Sequence, residues 1–264
     1  MDNNKWANCL HTEWAGKCLV YQKELESTNQ TAIRLGREGA VHGTLVAADK
    51  QTGGRGRRGR TWESPAGKNL YFSLLLRPKL PINKISMLTL VMAHSVAKAI
   101  EKIADVQVGI KWPNDILIKG KKVCGILTEM HVEGGMAAHV IVGVGINVHP
   151  QDFKGELKDK AIALESVCSK SVDRADLLAN IMECFETDYE KFAKQGDMLP
   201  FLEYYHSRLL NKDAAVKVLD PKEPFEGIAR GITVTGELLV EDQTGRIHQV
   251  YAGEVSVRGV LGYV

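Results

Sequence analysis

The chain has 264 residues, 44% of them hydrophobic and 25% charged, and its 34 basic and 32 acidic side chains leave a net charge of +2. That length buries a sizeable core, in one large domain or two smaller ones, and the near balance of charge gives no hint of a nucleic-acid surface, so any cationic function has to be local. No apolar run reaches the ~18 residues of a membrane span, the N-terminus lacks a signal-peptide pattern, and the five scattered cysteines contain no C-x-x-C pair, which predicts reduced thiols in a cytoplasmic protein and no structural zinc or disulfide framework.

A strand is predicted over 17–25, followed by a helix from Ser27, with Ser27 or Thr28 as N-cap and Ala32, Ile33 and Leu35 facing inward. A short buried strand over 43–48 delivers the chain to a glycine–arginine loop, and 69–77 is the next strand. Leu88, Val91, Met92, Val96 and Ile100 keep helical spacing, which predicts a helix over 85–104. Strands over 106–111, 116–118, 123–132 and 138–148 follow, punctuated by Pro113-Asn114-Asp115, Lys119-Gly120-Lys121 and Glu133-Gly134-Gly135. Helices are predicted over 174–194 and 199–210. From Ala215 onward only short alternating strands remain. The pattern is α+β, a mixed sheet flanked by helices and then a small β-barrel, with units 1–212 and 213–264. Trp6 and Trp14 are expected in a short helix or strap against the first unit.

The loop Gly54-Arg55-Gly56-Arg57-Arg58-Gly59-Arg60 packs four guanidinium forks suited to phosphate or carboxylate among three glycines that let backbone approach a ligand. It reads as a mobile cationic flap that closes on an anion. Residues 54–59 satisfy G-x-G-x-x-G, but a strand follows instead of a helix, and no acidic residue occurs between Glu63 and Glu101. The dinucleotide reading therefore fails. A Walker loop fails too, because Asn69 stands where Ser or Thr is needed and Trp62 where the first glycine is needed. Cys9, His11 and Cys18 match no standard metal spacing.

A second cluster, Lys111-Trp112-Pro113-Asn114-Asp115, ends one strand, and Lys122-Val123-Cys124-Gly125 opens another. Taken singly, Lys122 is a hairpin charge, Asn114-Asp115 a turn former, Ser27-Thr28-Asn29 a helix cap and Gly143-Val144-Gly145-Ile146-Asn147 a strand terminus. Their order along the chain shifts the balance.

This ordered set resembles biotin protein ligase. The resemblance rests on 27–30, 51–60 with Trp62, 111–115, 122–129 and 143–147, with weaker similarity through 225–231 and Gly253-Glu254-Val255-Ser256-Val257-Arg258. It implies a class II synthetase-like catalytic domain followed by an SH3-like barrel. The implied reaction activates biotin with ATP to biotinyl-5′-AMP, then transfers biotin to a lysine of a biotin carboxyl carrier domain of a carboxylase.

By the same resemblance Lys122 and Arg57 are catalytic. Ser27, Thr28, Asn29, Gln51, Arg55, Gly56, Arg57, Lys122 and Gly125 bind biotin. Arg57, Arg58, Arg60, Trp62, Asn114, Lys122, Asn147 and Arg258 bind ATP or the adenylate. Mg2+ is expected from the ATP chemistry rather than from a ligand cluster. Homodimers are common in the family. Only about twenty residues precede the first predicted strand, too few for a helix-turn-helix unit, so a monofunctional ligase without DNA or membrane partners is expected. The rival readings are a lipoate-type ligase, which shares the fold and the acyl-adenylate logic, and a phosphate- or nucleic-acid-binding module, which the near-zero net charge disfavours.

Overall fold

The alternating apolar runs between residues 19 and 147 form seven strands of one mixed sheet in this computed structural model, which describes residues 3–220, 223–252 and 256–259. In chain order the elements are α1 (Asn3–Asn8), β1 (Leu19–Leu25), α2 (Thr28–Arg37), β2 (Leu45–Gln51), β3 (Asn69–Leu76), α3 (Met87–Ala104), β4 (Gly109–Lys111), β5 (Asp115–Ile118), β6 (Lys121–Glu133) and β7 (Met136–Asn147). Then come α4 (Leu157–Lys160), α5 (Arg174–Gln195) and α6 (Leu202–Arg208). The terminal strands are β8 (Ala215–Leu219), β9 (Phe225–Ile232), β10 (Leu238–Asp242), β11 (Ile247–Val250) and β12 (Ser256–Gly259). Gly253-Glu254-Val255, part of the weaker resemblance, lies outside the described residues.

The large sheet runs β1-β2-β3-β7-β6-β5-β4; β1 and β2 pair in parallel across the α2 crossover, and the other pairings are antiparallel. β3 is buried along its whole length, as its continuous run Asn69-Leu-Tyr-Phe-Ser-Leu-Leu-Leu76 requires of a strand covered on both faces. α2 covers one face, where Ala32 meets Val46, Leu75 and Ile141. α3 and α5 cover the other, and the apolar stripe of α3 (Leu88, Val91, Met92, Val96, Ile100) is wholly buried there. Each such side chain contributes roughly 1.5–3 kcal/mol of burial. α5 is capped at both ends: the Asp173 carboxylate accepts from the N–H groups of Ala175 and Asp176, and Gly196 takes the left-handed φ of 77° that closes the C-terminus.

Trp6 is buried, and Trp14 packs on Tyr189 and Phe185 of α5, while the Glu186 carboxylate accepts from the backbone N–H groups of Glu13, Trp14 and Ala15. Two predicted elements differ. β4 is three residues long, because only 109–111 finds a partner in β5. The helix expected over 199–210 begins as a 3₁₀ turn at Leu199-Pro200-Phe201, and past α6 the chain forms an isolated bridge from Leu209 to Ile110 on the sheet edge. Ser27 takes the extended N-cap conformation without a side-chain capping bond, which leaves the polar groups at the start of α2 for other partners.

The terminal strands form an antiparallel sheet in the order β11-β10-β9-β8-β12. It is joined to the first unit by Trp112 Nε1 donating to Gly236 O at 3.0 Å and by Met198 N donating to Val234 O at 2.7 Å.

A buried ion pair joins the start of α5 to the sheet. Arg174, whose side chain is 1% exposed, lies 2.9 Å from Asp49 Oδ1 and donates to Asn69 O at 2.7 Å. Arg174→Met is expected to cost about 3 kcal/mol in urea unfolding, because it leaves a carboxylate without its cation, and Asp49→Asn in the same chain should recover part of that loss.

Candidate active site

The glycine–arginine loop is a closed hairpin. Trp62 N donates to Gly54 O at 2.9 Å and Gly56 N to Arg60 O at 2.7 Å, with a 3₁₀ turn over Arg57–Gly59 at the tip. Arg58 and Gly59 take left-handed φ values of 59° and 71°. Gly54 has no room for a side chain, since a Cβ there would lie 2.4 Å from Trp62 O. The sequence predicts a loop ordered by its ligand; the structure shows one that makes its own turn bonds, which the glycine positions allow. Arg57 Nη1 donates to Asn114 Oδ1 at 2.9 Å, and its Nη2 donates to Ala252 O in the terminal unit. Burial holds the Arg57 guanidinium below its ordinary pKa. Arg55, Arg58 and Arg60 are exposed.

Two adjoining cavities meet at this loop. The larger, about 450 Å³, has Arg57, Arg58, Arg60, Trp62, Asn114, Lys122, Asn147 and Arg258 in its walls, with Lys111 and Asp115. The smaller, about 50 Å³, is walled by Ser27, Thr28, Asn29, Gln51, Arg55 and Gly125, and it shares Gly56, Arg57, Trp62, Asn114 and Lys122 with the larger. Every site residue singled out from the sequence therefore lines one cavity or the other. Folding gathers them because β2, β6 and β7 lead into the same end of the sheet, while the β4–β5 turn and β12 close the far wall.

Lys122 stands at the junction, its Nζ 2.7 Å from Asp115 Oδ1 and 5.1 Å from the centroid of the Trp62 ring. The Trp62 indole lies on two glycines. A Cβ at Gly125 would meet Trp62 Cζ3 at 2.9 Å, and one at Gly145 would meet Trp62 Nε1 at 2.5 Å. That indole N–H is buried and has no hydrogen-bond partner among the described residues. Asn114 is anchored by donating to Asp115 Oδ1 at 3.0 Å and to Ile126 O at 3.1 Å.

In the small cavity Gln51 Oε1 accepts from Thr28 N at 2.8 Å, and Gln51 Nε2 donates to Ser64 Oγ at 3.0 Å. Asn29 turns its amide into the protein, donating to Glu129 Oε2 at 2.6 Å and accepting from Ser73 Oγ at 2.5 Å.

Lys111, quoted within a motif but given no role from sequence, is 5% exposed and lines the larger cavity. Burial, aided by the positive charges of Arg258, Lys122 and Arg60 and opposed by Asp115, pushes its pKa down to about 8. Its strand position gave no signal beyond a charged residue inside an apolar run. A lysine whose folded pKa lies below its ordinary 10.5 penalises the folded state below pH 8, and that penalty is relieved as pH rises from 8 to 10.5. Lys111→Met is expected to remove this component from a plot of thermal midpoint against pH.

Residues 21–147 match the biotin/lipoate A/B protein ligase family, and 214–258 match the biotin protein ligase C-terminal domain. The bifunctional ligase/repressor BirA of Bacillus subtilis is 42% identical over 250 residues, covering 94% of this chain and 76% of the relative. The chain belongs to the biotin protein ligase family. The biotin–[acetyl-CoA-carboxylase] ligase of Paracoccus denitrificans is 29% identical over 226 residues, covering 84% of this chain and 93% of that enzyme. Among solved structures, the biotin protein ligase of Aquifex aeolicus in complex with biotin and ATP superposes with a TM-score of 0.81 at 34% identity, covering 92% of this chain and 99% of that one. The enzyme is thus a ligase with the family fold, a helix-flanked mixed sheet followed by an antiparallel terminal unit. Among the described residues no helix is long and apolar enough to cross a membrane.

Proposed function

We propose that the two cavities are the halves of one acyl-adenylate site, in which the ligase activates biotin with ATP and passes the biotinyl group to a lysine of a carrier protein. The observation that carries this reading is the position of Lys122, whose ammonium lines both the small polar pocket and the large cationic one. The small pocket offers neutral hydrogen-bonding groups from Ser27, Thr28 and Gln51, suited to the uncharged ureido ring, and the large one offers guanidinium and ammonium groups suited to a triphosphate.

In the first step a carboxylate oxygen of biotin attacks the α-phosphorus and pyrophosphate leaves. Lys122 offsets the repulsion between the two anions and the charge that develops on the phosphoryl oxygens. Arg57 and the exposed arginines of the loop cover the product, with Asn114, Asn147 and Arg258 in the far wall. In the second step the carrier amine attacks the acyl carbonyl, the acyl–phosphate bond breaks, and AMP leaves. The pocket, about 50 Å³, is below the roughly 300 Å³ of a ligand site, and Trp62, which rests on Gly125 and Gly145, is a side chain it shares with the larger cavity next to Lys122.

The assignment of residues 1–212 as the catalytic unit and 213–264 as the barrel is part of this proposal, supported by the break between the two sheets after α6. So are a carboxylase carrier, a cytoplasmic location, which free thiols fit, and a homodimer, which rests on family resemblance. Mg2+ is proposed as the counter-ion of ATP. No cluster of three His, Cys, Asp or Glu suited to a metal occurs among the described residues, whereas Asp115 and Glu156 line the larger cavity, which suits an ion held by phosphates, waters and one or two carboxylates.

The test is ATP-dependent labelling of a purified carrier domain, with lipoate as competitor. Labelling by biotin that lipoate does not suppress is expected. Labelling without ATP, or preference for lipoate, would overturn the reading.

A further inference from the structure

We infer that Glu129 is a positioning residue for the biotin pocket, acting through Asn29 on the hydroxyl of Thr28; this rests on the assignment of the small pocket to the biotin ring. A side-chain amide has a donor end and an acceptor end, and neighbours decide which faces where. Here Asn29 Nδ2 faces two acceptors, Glu129 Oε2 at 2.6 Å and Leu127 O at 3.4 Å. The amide oxygen is thereby turned to Ser73 Oγ, 2.5 Å away.

Ser73 Oγ also lies 2.8 Å from Thr28 Oγ1. A serine hydroxyl has one hydrogen. Asn29 Oδ1 can only accept, so Ser73 gives its hydrogen there and receives one from Thr28, in preference to the longer 3.2 Å contact between Thr28 Oγ1 and Gln51 Oε1. With its hydrogen directed at Ser73, the Thr28 oxygen presents a lone pair to the pocket, which is what a ureido N–H requires.

Three features set this chain of bonds apart from an incidental surface contact. Ser73 is fully buried, and Thr28 and Asn29 nearly so, where unmatched polar groups are costly. Glu129 projects from β6 towards α2, whereas its neighbour Thr128 pairs with Thr89 of α3 on the opposite face. Gly143 on β7 keeps the space open, since a Cβ there would lie 1.9 Å from Asn29 Oδ1. Asn29 is then a link between Glu129 and Thr28 rather than a contact for biotin.

Charge and donor swapping tests the direction of the chain. Asn29→Asp sets a second carboxylate against Glu129, and it is expected to raise the KM for biotin about tenfold, the effect of one misdirected hydrogen bond. Adding Glu129→Gln to Asn29→Asp turns the pair round: the new amide at 129 donates an N–H to one oxygen of the new carboxylate. The other oxygen is then held towards Ser73 as an acceptor, and the KM should return to within about threefold of wild type. Glu129→Gln alone keeps an acceptor for Asn29 and should raise the KM only about threefold. The KM for ATP and the thermal midpoint of the double variant should stay near wild type.

A double variant as impaired as Asn29→Asp would overturn the inference and return Asn29 to direct ligand contact. An unchanged KM for biotin in Asn29→Asp would overturn it as well. A wild-type enzyme that fails to label the carrier with biotin would instead overturn the assignment of the pocket.

Discussion

Lys122→Ala is expected to lower the rate of biotinyl-adenylate formation by roughly a thousandfold, a loss typical of deleting one group aimed at developing charge. The first step brings a carboxylate against a triphosphate. Two like charges 4 Å apart repel by about 4 kcal/mol at the effective dielectric of a protein surface, and a fixed cation at the junction converts that repulsion into attraction. The structure places the Lys122 ammonium between the cavities, steadied by Asp115 at 2.7 Å and the Trp62 face at 5.1 Å. Gly125 secures the approach, for a Cβ there would lie 2.9 Å from Lys122 Nζ. Single-turnover release of pyrophosphate measures the effect directly. Adenylation within tenfold of wild type would remove Lys122 from the chemical step. Lys122→Arg should recover only part of the rate, because the guanidinium is bulkier than the space beside Gly125 and Trp62 allows.

Arg57→Ala is expected to act on retention rather than on chemistry, with biotinyl-AMP dissociating about tenfold to a hundredfold faster, the equivalent of two lost charge-assisted hydrogen bonds. Arg57 lines both cavities and bonds outward in two directions, to Asn114 beyond β4 and to Ala252 O in the terminal unit. In the proposed site these two bonds make it a latch for the loop. Without it the hairpin keeps its own turn bonds but loses these two bonds to the walls, so water and product should exchange more freely. Stopped-flow release of preformed biotinyl-AMP tests this; an off-rate equal to wild type would end the latch idea. Release of pyrophosphate in the same variant should fall far less than in Lys122→Ala, which separates the two roles.

The family was legible before folding because its chemistry is written in contiguous runs. Gly54 through Arg60 and Lys111 through Asp115 are short segments whose residue types are dictated by close backbone approach and by fixed charge. The large elements were legible for a related reason: the period of α3 and the unbroken apolar run of β3 are properties of neighbouring residues. The shortening of β4 and the bend of the chain after α6 were not legible, because strand length depends on finding a partner, and the partners of 109–111 and 209 lie across the sheet.

Within the site the division is the same. Lys122, Arg57, Gln51 and Thr28 could be nominated from the ordered motifs and the family resemblance they carry. Three features could not be. The depressed pKa of Lys111 arises from burial beside Arg258, Lys122 and Arg60, which are remote in sequence from one another. The inward turn of the Asn29 amide depends on Glu129, one hundred residues away. The indole of Trp62 rests on Gly125 and Gly145 because two strands bring those glycines side by side. Residue chemistry and local periodicity are carried by the chain itself, so they supply the elements, the candidate groups and the ordered motifs whose family resemblance implies the reaction. Electrostatic environment, hydrogen-bond direction and the shape of an empty pocket are sums over groups that meet only when the sheet closes, and the folded structure alone supplies them.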